Sequence, residues 1–253
     1  MDGYDPATYG DRIADIYDAW YGPRMDPTEA VGFLAALASG GRVLELGIGT
    51  GRISLPLAEH GLEVHGIDAS TKMIEKLRAK PGGTNIDVTV GDFADVRVDG
   101  SYSLIFVAFT TFFALGSQER QLRCARNVAA HLQEGGRFVV EAFVPDVARF
   151  SSGQSTMTVE TGLDHLLLDA MRHDPVAQTV EGHHVLLTEQ ATTLYPVRLR
   201  YCWPAELDLV AKLAGLELEE RVAWYDRTPF DACSTRHVSV YVRPGEPASH
   251  AEP

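Results

Sequence analysis

Apolar and polar positions change period several times along the chain. From Tyr9 to Tyr21, Ile13, Ile16, Tyr17 and Trp20 fall on one face at helical spacing, and Gly22-Pro23 closes the helix. Pro27 to Ala38 repeats the pattern, with Val31, Leu34 and Leu37 turned inward and Asp26 as cap. The period then shortens. Val43 to Leu46, Leu62 to Ile67, Ile86 to Val90, Tyr102 to Phe109 and Arg137 to Phe143 are brief apolar runs. Helical stretches separate most of them: Arg52 to Glu59, the Ser70-capped segment with Met73, Ile74 and Leu77, and Ser117 to Leu132. Apolar strands alternating with crossover helices predict a doubly wound parallel sheet, α/β in class.

The rhythm changes between Arg149 and Tyr201. Thr156 to Glu160, Val180 to Glu189 and Leu194 to Tyr201 alternate as antiparallel strands do, while Leu163 to Arg172 fits a strand or a helix. A helix from Pro204 to Leu213 and strands at Leu216 to Trp224 and His237 to Arg243 complete a seven-stranded main sheet. The expected organisation is therefore N-terminal helices at 1–40 covering a cleft, and a main domain from 41–148 and 202–243. Residues 149–201 form an inserted antiparallel lid, and the polar, proline-bearing 244–253 a disordered tail.

The most informative turn is Gly41 to Gly51, GRVLELGIGTG, where an apolar strand runs into Gly47, Gly49 and Gly51. Backbone without Cβ turns with positive φ and admits a ligand to the main chain, and a strand's carboxyl end is where open α/β sheets bind ligands. A glycine turn by itself is a weak signal, because dinucleotide folds use the related G-x-G-x-x-G pattern. Two details disfavour a dinucleotide. The third glycine follows the second by two residues instead of three, and Glu45 would repel a pyrophosphate. A cationic or amine-bearing ligand tolerates that carboxylate. Asp68 closes the second strand about 20 residues on, where a carboxylate takes two ribose hydroxyls.

With 253 residues, 45% of them hydrophobic, the chain can bury a full core. Cys124, Cys202 and Cys233 fit neither a zinc spacing nor a disulfide framework, which suits a reducing, cytoplasmic setting. The N-terminus reads as lacking a signal peptide, and Leu104 to Leu115 is too short to span a bilayer. A net charge of −13 opposes nucleic-acid binding. The expected partner is a small molecule, without nucleic acid or membrane, and a homodimer is allowed.

Glu45-Leu46-Gly47-Ile48-Gly49-Thr50-Gly51, then Asp68, then Gly91-Asp92-Phe93 and the strand Leu104 to Phe109 resemble, in order and spacing, class I S-adenosylmethionine-dependent methyltransferases. The resemblance covers roughly residues 9 to 143, and Gly215 to Arg243 is similar to that family's closing hairpin. Tyr9, Tyr17, the N-terminal helices and the insertion resemble the small-molecule branch from bacterial natural-product pathways, which includes N,N-dimethyltransferases of deoxyamino sugars. The resemblance implies a Rossmann-like fold and methyl transfer from S-adenosyl-L-methionine to an oxygen, nitrogen or carbon of a small molecule under the lid. It implies cofactor contacts from Tyr9, Tyr17, Arg24, Glu45, Gly47, Gly49, Asp68, Ala69, Met73, Asp92, Phe93 and Phe109. One departure stands out: several sugar enzymes carry a histidine after the fourth strand where this chain has Ala114. A non-catalytic S-adenosylmethionine-binding module and an NAD-dependent oxidoreductase are the competing readings.

Methyl transfer needs alignment above all, and a base only where the nucleophile must shed a proton. The expectation is catalysis carried mainly by positioning, with Glu141, His173 and His184 as the candidates should a base act. Each also has a plain structural reading: Glu141 as one half of an ion pair, the histidines as a polar face. The phenylalanines Phe109, Phe112 and Phe113 read equally as core or as a sulfonium wall. No metal is expected. On a strand His165, Asp169 and His173 share a face but span about 26 Å, and of His183-His184 at most one can face an acceptor.

Overall fold

The computed structural model describes residues 1–95 and 98–245. Strands β1 (Val43–Leu46), β2 (Val64–Asp68), β3 (Asp87–Val90), β4 (Tyr102–Val107) and β5 (Leu132–Phe143) pair in parallel. Strands β6 (Gln154–Thr161), β7 (His165–Asp174), β8 (Thr179–Thr188) and β9 (Thr192–Arg200) form a separate antiparallel sheet in chain order. The chain then returns with β10 (Glu217–Val222) and β11 (Arg236–Val242), giving the main-sheet order β10-β11-β5-β4-β1-β2-β3 with β11 antiparallel to both neighbours. This is the Rossmann-like seven-stranded architecture with an antiparallel insertion. The stretch left open between helix and strand, Leu163 to Arg172, is strand from His165 onward, because Leu166 to Arg172 find partners on both sides in β6 and β8, while Leu163 and Asp164 form the bend before it.

The helices are α1 (Thr8–Ile13), α2 (Tyr17–Tyr21), α3 (Thr28–Ala38), α4 (Ser54–Glu59), α5 (Thr71–Arg78), α6 (Gln118–His131) and α7 (Pro204–Leu213). Apolar layers lie on both faces of the sheet. Val43, Leu104 and Phe106 pack with Leu34 of α3 and Leu57 of α4. On the other face Leu46, Ile105 and Phe138 pack with Cys124 and Val128 of α6 and Leu207 of α7. Each such buried side chain contributes about 1.5–3 kcal/mol. Among the described residues no helix is long and apolar enough to cross a membrane. The expected tail at 244–253 falls mostly outside the described residues.

The single N-terminal helix expected over Tyr9 to Tyr21 is broken at Ala14 to Ile16, and tertiary hydrogen bonds account for the break. Asp11 on α1 accepts from the Ser70 hydroxyl at 2.6 Å, while Asp18 on α2 accepts from the Thr50 hydroxyl at 2.6 Å and from Lys80 at 2.8 Å. The two halves are thus pinned to different places, α1 to the cap of α5 and α2 to the glycine loop. The insertion is anchored at its base by Arg200, 5% exposed, which pairs with Glu206 of α7 at 2.7 Å and donates to Gln121 of α6 at 2.7 Å. Breaking such a buried pair from one side costs about 3–5 kcal/mol. Met171, Val180 and Val197 of the insertion continue the α6-side apolar layer.

Candidate active site

Strand β1 lies where the strand order reverses, with β2 on one side and β4 on the other, so its carboxyl end opens into a crevice. Gly47 sits there at φ +75°, and a Cβ on it would come within 2.6 Å of Thr111 Cγ2. Gly49, at φ +55°, donates its N–H to Asp68 at 2.7 Å. The second Asp68 oxygen accepts from the Ser70 N–H at 2.8 Å. Each carboxylate oxygen keeps a lone pair for a hydroxyl. Burial raises the Asp68 pKa, against those backbone donors.

Glu45 is buried beneath the same loop. Desolvation pushes its carboxyl up to about 8, although the Ser54 hydroxyl donates to it and Arg52 stands nearby. Arg52, which immediately follows the last glycine, lines the crevice, and its Nε is buried without a hydrogen-bond partner. Its Nη1 reaches the Met25 carbonyl at 3.5 Å, and the unpaired Nε is a charged donor that a ligand carboxylate would satisfy.

The crevice widens into one cavity of ≈ 750 Å³ between the main sheet, the N-terminal helices and the inserted sheet. Tyr9, Tyr17, Glu45, Gly47, Gly49, Asp68, Ala69, Met73, Phe93 and Phe109 all line it, together with His184 from β8. Tyr9 and Tyr21 share a hydrogen bond at 3.1 Å, and Tyr21 meets Phe109 edge to face at 4.9 Å. Burial drives the Tyr9, Tyr17 and Tyr21 hydroxyls to titrate above their ordinary value. Ala114 also lines the cavity and brings only a methyl group.

Four expected site residues lie elsewhere. Arg24 forms an ion pair with Glu160 of β6 and donates to the Trp20 carbonyl at 3.2 Å, and the guanidinium beside the glycine loop is that of Arg52 instead. Asp92 stands outside the lining because both its oxygens are engaged, by Arg120 at 2.5 Å and by the Ala94 N–H at 2.9 Å. Glu141 is buried behind the wall, accepting from the Phe109 N–H and the Tyr225 hydroxyl, each at 2.9 Å. Its place follows from strain. Phe109 and Thr110 have φ of 53° and 64°, which ends β4 two residues short of the expected Phe109, and Glu141 braces that turn. His173 is hydrogen-bonded to Tyr201 at 2.9 Å and stacked on Phe150 at 4.6 Å, and only these two partners reach the lining.

His184 differs from the other two basic candidates. The β7–β8 register sets it directly opposite Asp169, and the two hydrogen-bond through Nδ1 and Oδ1 at 2.5 Å. Both line the cavity. Sequence reading named each residue but not the pair. Arg52 was missed altogether, and its one available signal was a cation directly after the third glycine.

The cradle fits S-adenosylmethionine. Two acids and a guanidinium with an unpaired Nε complement a zwitterionic, cationic amino acid bearing ribose hydroxyls, and the glycines leave no Cβ to fill the space. Comparison with known proteins agrees. Residues 43–136 match a methyltransferase-domain family. The chain is 29% identical over 247 residues to the cypemycin N-terminal methyltransferase of a Streptomyces species, covering 94% of this chain and 99% of that protein. It is 47% identical to the CcbJ methyltransferase from Streptomyces caelestis, covering 96% of this chain and 100% of that one at a TM-score of 0.91. An amino pentose methyltransferase from Micromonospora echinaspora, CalS10, shares the fold at a TM-score of 0.66 and 20% identity, over 90% of this chain and 96% of that one.

Proposed function

The chain belongs to the class I S-adenosylmethionine-dependent methyltransferases, and from that premise we propose that it methylates an amine nitrogen of a small natural product held between the main sheet and the lid. The observation that carries the proposal is the shared cavity, in which the glycine loop and Asp68 face an acceptor half built from the insertion. The amine reading is supported by the chemistry of that half. Asp169 lines the cavity with Tyr9 and lies near enough to Tyr21 to raise its hydroxyl, and an anion with aromatic faces attracts an ammonium group. The relative named an N-terminal methyltransferase, matched over nearly its whole length, points the same way.

Asp68 would take the ribose hydroxyls, Arg52 and Glu45 the methionine carboxylate and ammonium, Met73 and Phe93 the adenine, and the tyrosines with Phe109 the sulfonium. S-adenosylmethionine, when bound, supplies an electrophilic methyl carbon. The side chains of the enzyme align the acceptor nitrogen and exclude water, and alignment alone can account for about 7–11 kcal/mol of barrier. Calorimetry tests the cofactor assignment: Asp68→Ala should weaken S-adenosylmethionine about 10- to 100-fold, as expected for one hydrogen-bonded charge. Release of S-adenosylhomocysteine with a panel of alkylamines and the matching alcohols tests the acceptor. Turnover of the alcohols alone would refute the amine reading.

A further inference from the structure

Glu141 and His173 are behind the cavity wall, which leaves the acceptor half with few groups able to take a proton. Tyr201 keeps its own, since burial raises its pKa. Tyr9 and Tyr21 are raised in the same way. Asp146 is committed to the Ala148 N–H at 3.1 Å. Arg149 is a cation, and Cys233 is an exposed thiol at the rim.

His184 is arranged differently. Asp169 holds its Nδ1 at 2.5 Å, and among the described residues Nε2 has no hydrogen-bond partner. A carboxylate at Nδ1 favours the tautomer with the proton on that nitrogen, which leaves the Nε2 lone pair free. The imidazole is held in orientation by Tyr9 of α1, edge-on at 6.5 Å, and by Trp20 of α2 at 6.4 Å. Tyr195 of β9 stands opposite it in register. Besides Asp169, the titratable side chains set against it among the described residues are Tyr9 and Tyr195, with Tyr21 bonded to Tyr9 behind them, all with hydroxyls raised above their usual range. Among the described residues the charged side chain hydrogen-bonded to the imidazole is the Asp169 carboxylate.

We infer that Asp169 and His184 form a catalytic dyad in which Nε2 of His184 takes the proton from the acceptor's ammonium group. An alkylamine is protonated at neutral pH and has no lone pair to offer. In the step assigned here the N–H bond of the ammonium breaks and its electron pair stays on nitrogen. The proton bonds to Nε2, and the imidazolium is balanced by Asp169 until it returns the proton to solvent. The free amine can then attack the methyl carbon. Asp169 acts as a positioning residue, holding the tautomer and the ring. This inference rests on the amine reading above, and it departs from the expectation that catalysis rests mainly on positioning with no single indispensable base.

The test compares wild type, His184→Gln and Asp169→Asn, each first shown by calorimetry to bind S-adenosylmethionine as wild type does. The acceptor probes are benzylamine with related alkylamines, which are protonated at neutral pH, and aniline, which is not. His184→Gln should lose about 10²- to 10⁴-fold in kcat with the alkylamines, the usual contribution of a general base, and far less with aniline. Asp169→Asn should fall in the same direction. In the free protein, long-range ¹H–¹⁵N spectra at mildly alkaline pH should find His184 protonated on Nδ1 in wild type, and no longer uniformly so in Asp169→Asn. The opposite tautomer in wild type, or equal losses with alkylamines and aniline, overturns the dyad alone. If wild type methylates no alkylamine, the amine reading falls and the dyad's role falls with it.

Discussion

Replacing Glu45 by glutamine should uncouple cofactor binding from proton release. Burial pushes the Glu45 carboxyl up to about 8, so in the free enzyme at pH 7 it is mostly protonated. A ligand carrying an ammonium and a sulfonium favours the ionised form, so binding expels the proton. Ionising the group one pH unit below its pKa costs about 1.4 kcal/mol, or tenfold in Kd. Wild-type affinity should therefore rise about tenfold between pH 6 and 7, and calorimetry in buffers of different ionisation enthalpy should report close to one proton released at pH 7. Glu45→Gln should bind with little change between pH 6 and 7 and release no proton. Stability carries the opposite sign. An acid raised on folding contributes most below its unfolded value of 4.5 and loses that contribution as pH climbs through about 8, so free wild type should be destabilised relative to Glu45→Gln as pH rises over that window. Equal pH slopes for the two proteins, with equal proton release, would refute the reasoning.

Arg52→Met should weaken S-adenosylmethionine about 10- to 100-fold by calorimetry, the range for losing a charge-assisted hydrogen bond, whereas Arg24→Met, which breaks a half-exposed pair with Glu160, should leave binding nearly unchanged. Glu141→Gln should lower thermal stability by about 1–3 kcal/mol, since the buried Phe109 N–H and Tyr225 hydroxyl lose their charged acceptor, while kcat of the folded protein changes little. A fall in kcat beyond about 10² at unchanged melting temperature would return Glu141 to the list of bases. Gly47→Ala should cost about 1–2 kcal/mol of left-handed backbone strain, and more from the Thr111 contact, and should lower cofactor affinity, as denaturant melts and calorimetry would show.

Local pattern determined a large part of this protein. Strands that are buried on both faces read as continuous apolar runs, helices between them show a 3.6-residue period, and a glycine turn with an acid at the next strand end carries its chemistry within a few residues. The seven strands, the antiparallel insertion, and Glu45, Gly47, Gly49 and Asp68 in one cavity were legible for that reason. Tertiary contacts decided the rest. The break between α1 and α2 comes from Asp11 and Asp18 bonding to Ser70 and Thr50, residues 59 and 32 positions away. Glu141 sits at a strand end, as active-site acids do, yet the positive φ of Phe109 and Thr110 turns it into a brace. Strand parity limits His183-His184 to one cavity-facing residue. Only the register of β7 on β8, set by turn geometry and by burial of Met171 and Val180, puts Asp169 across from His184. A slip of one residue would send one of the two to the opposite face, so the dyad is a property of the assembled sheet and not of either strand.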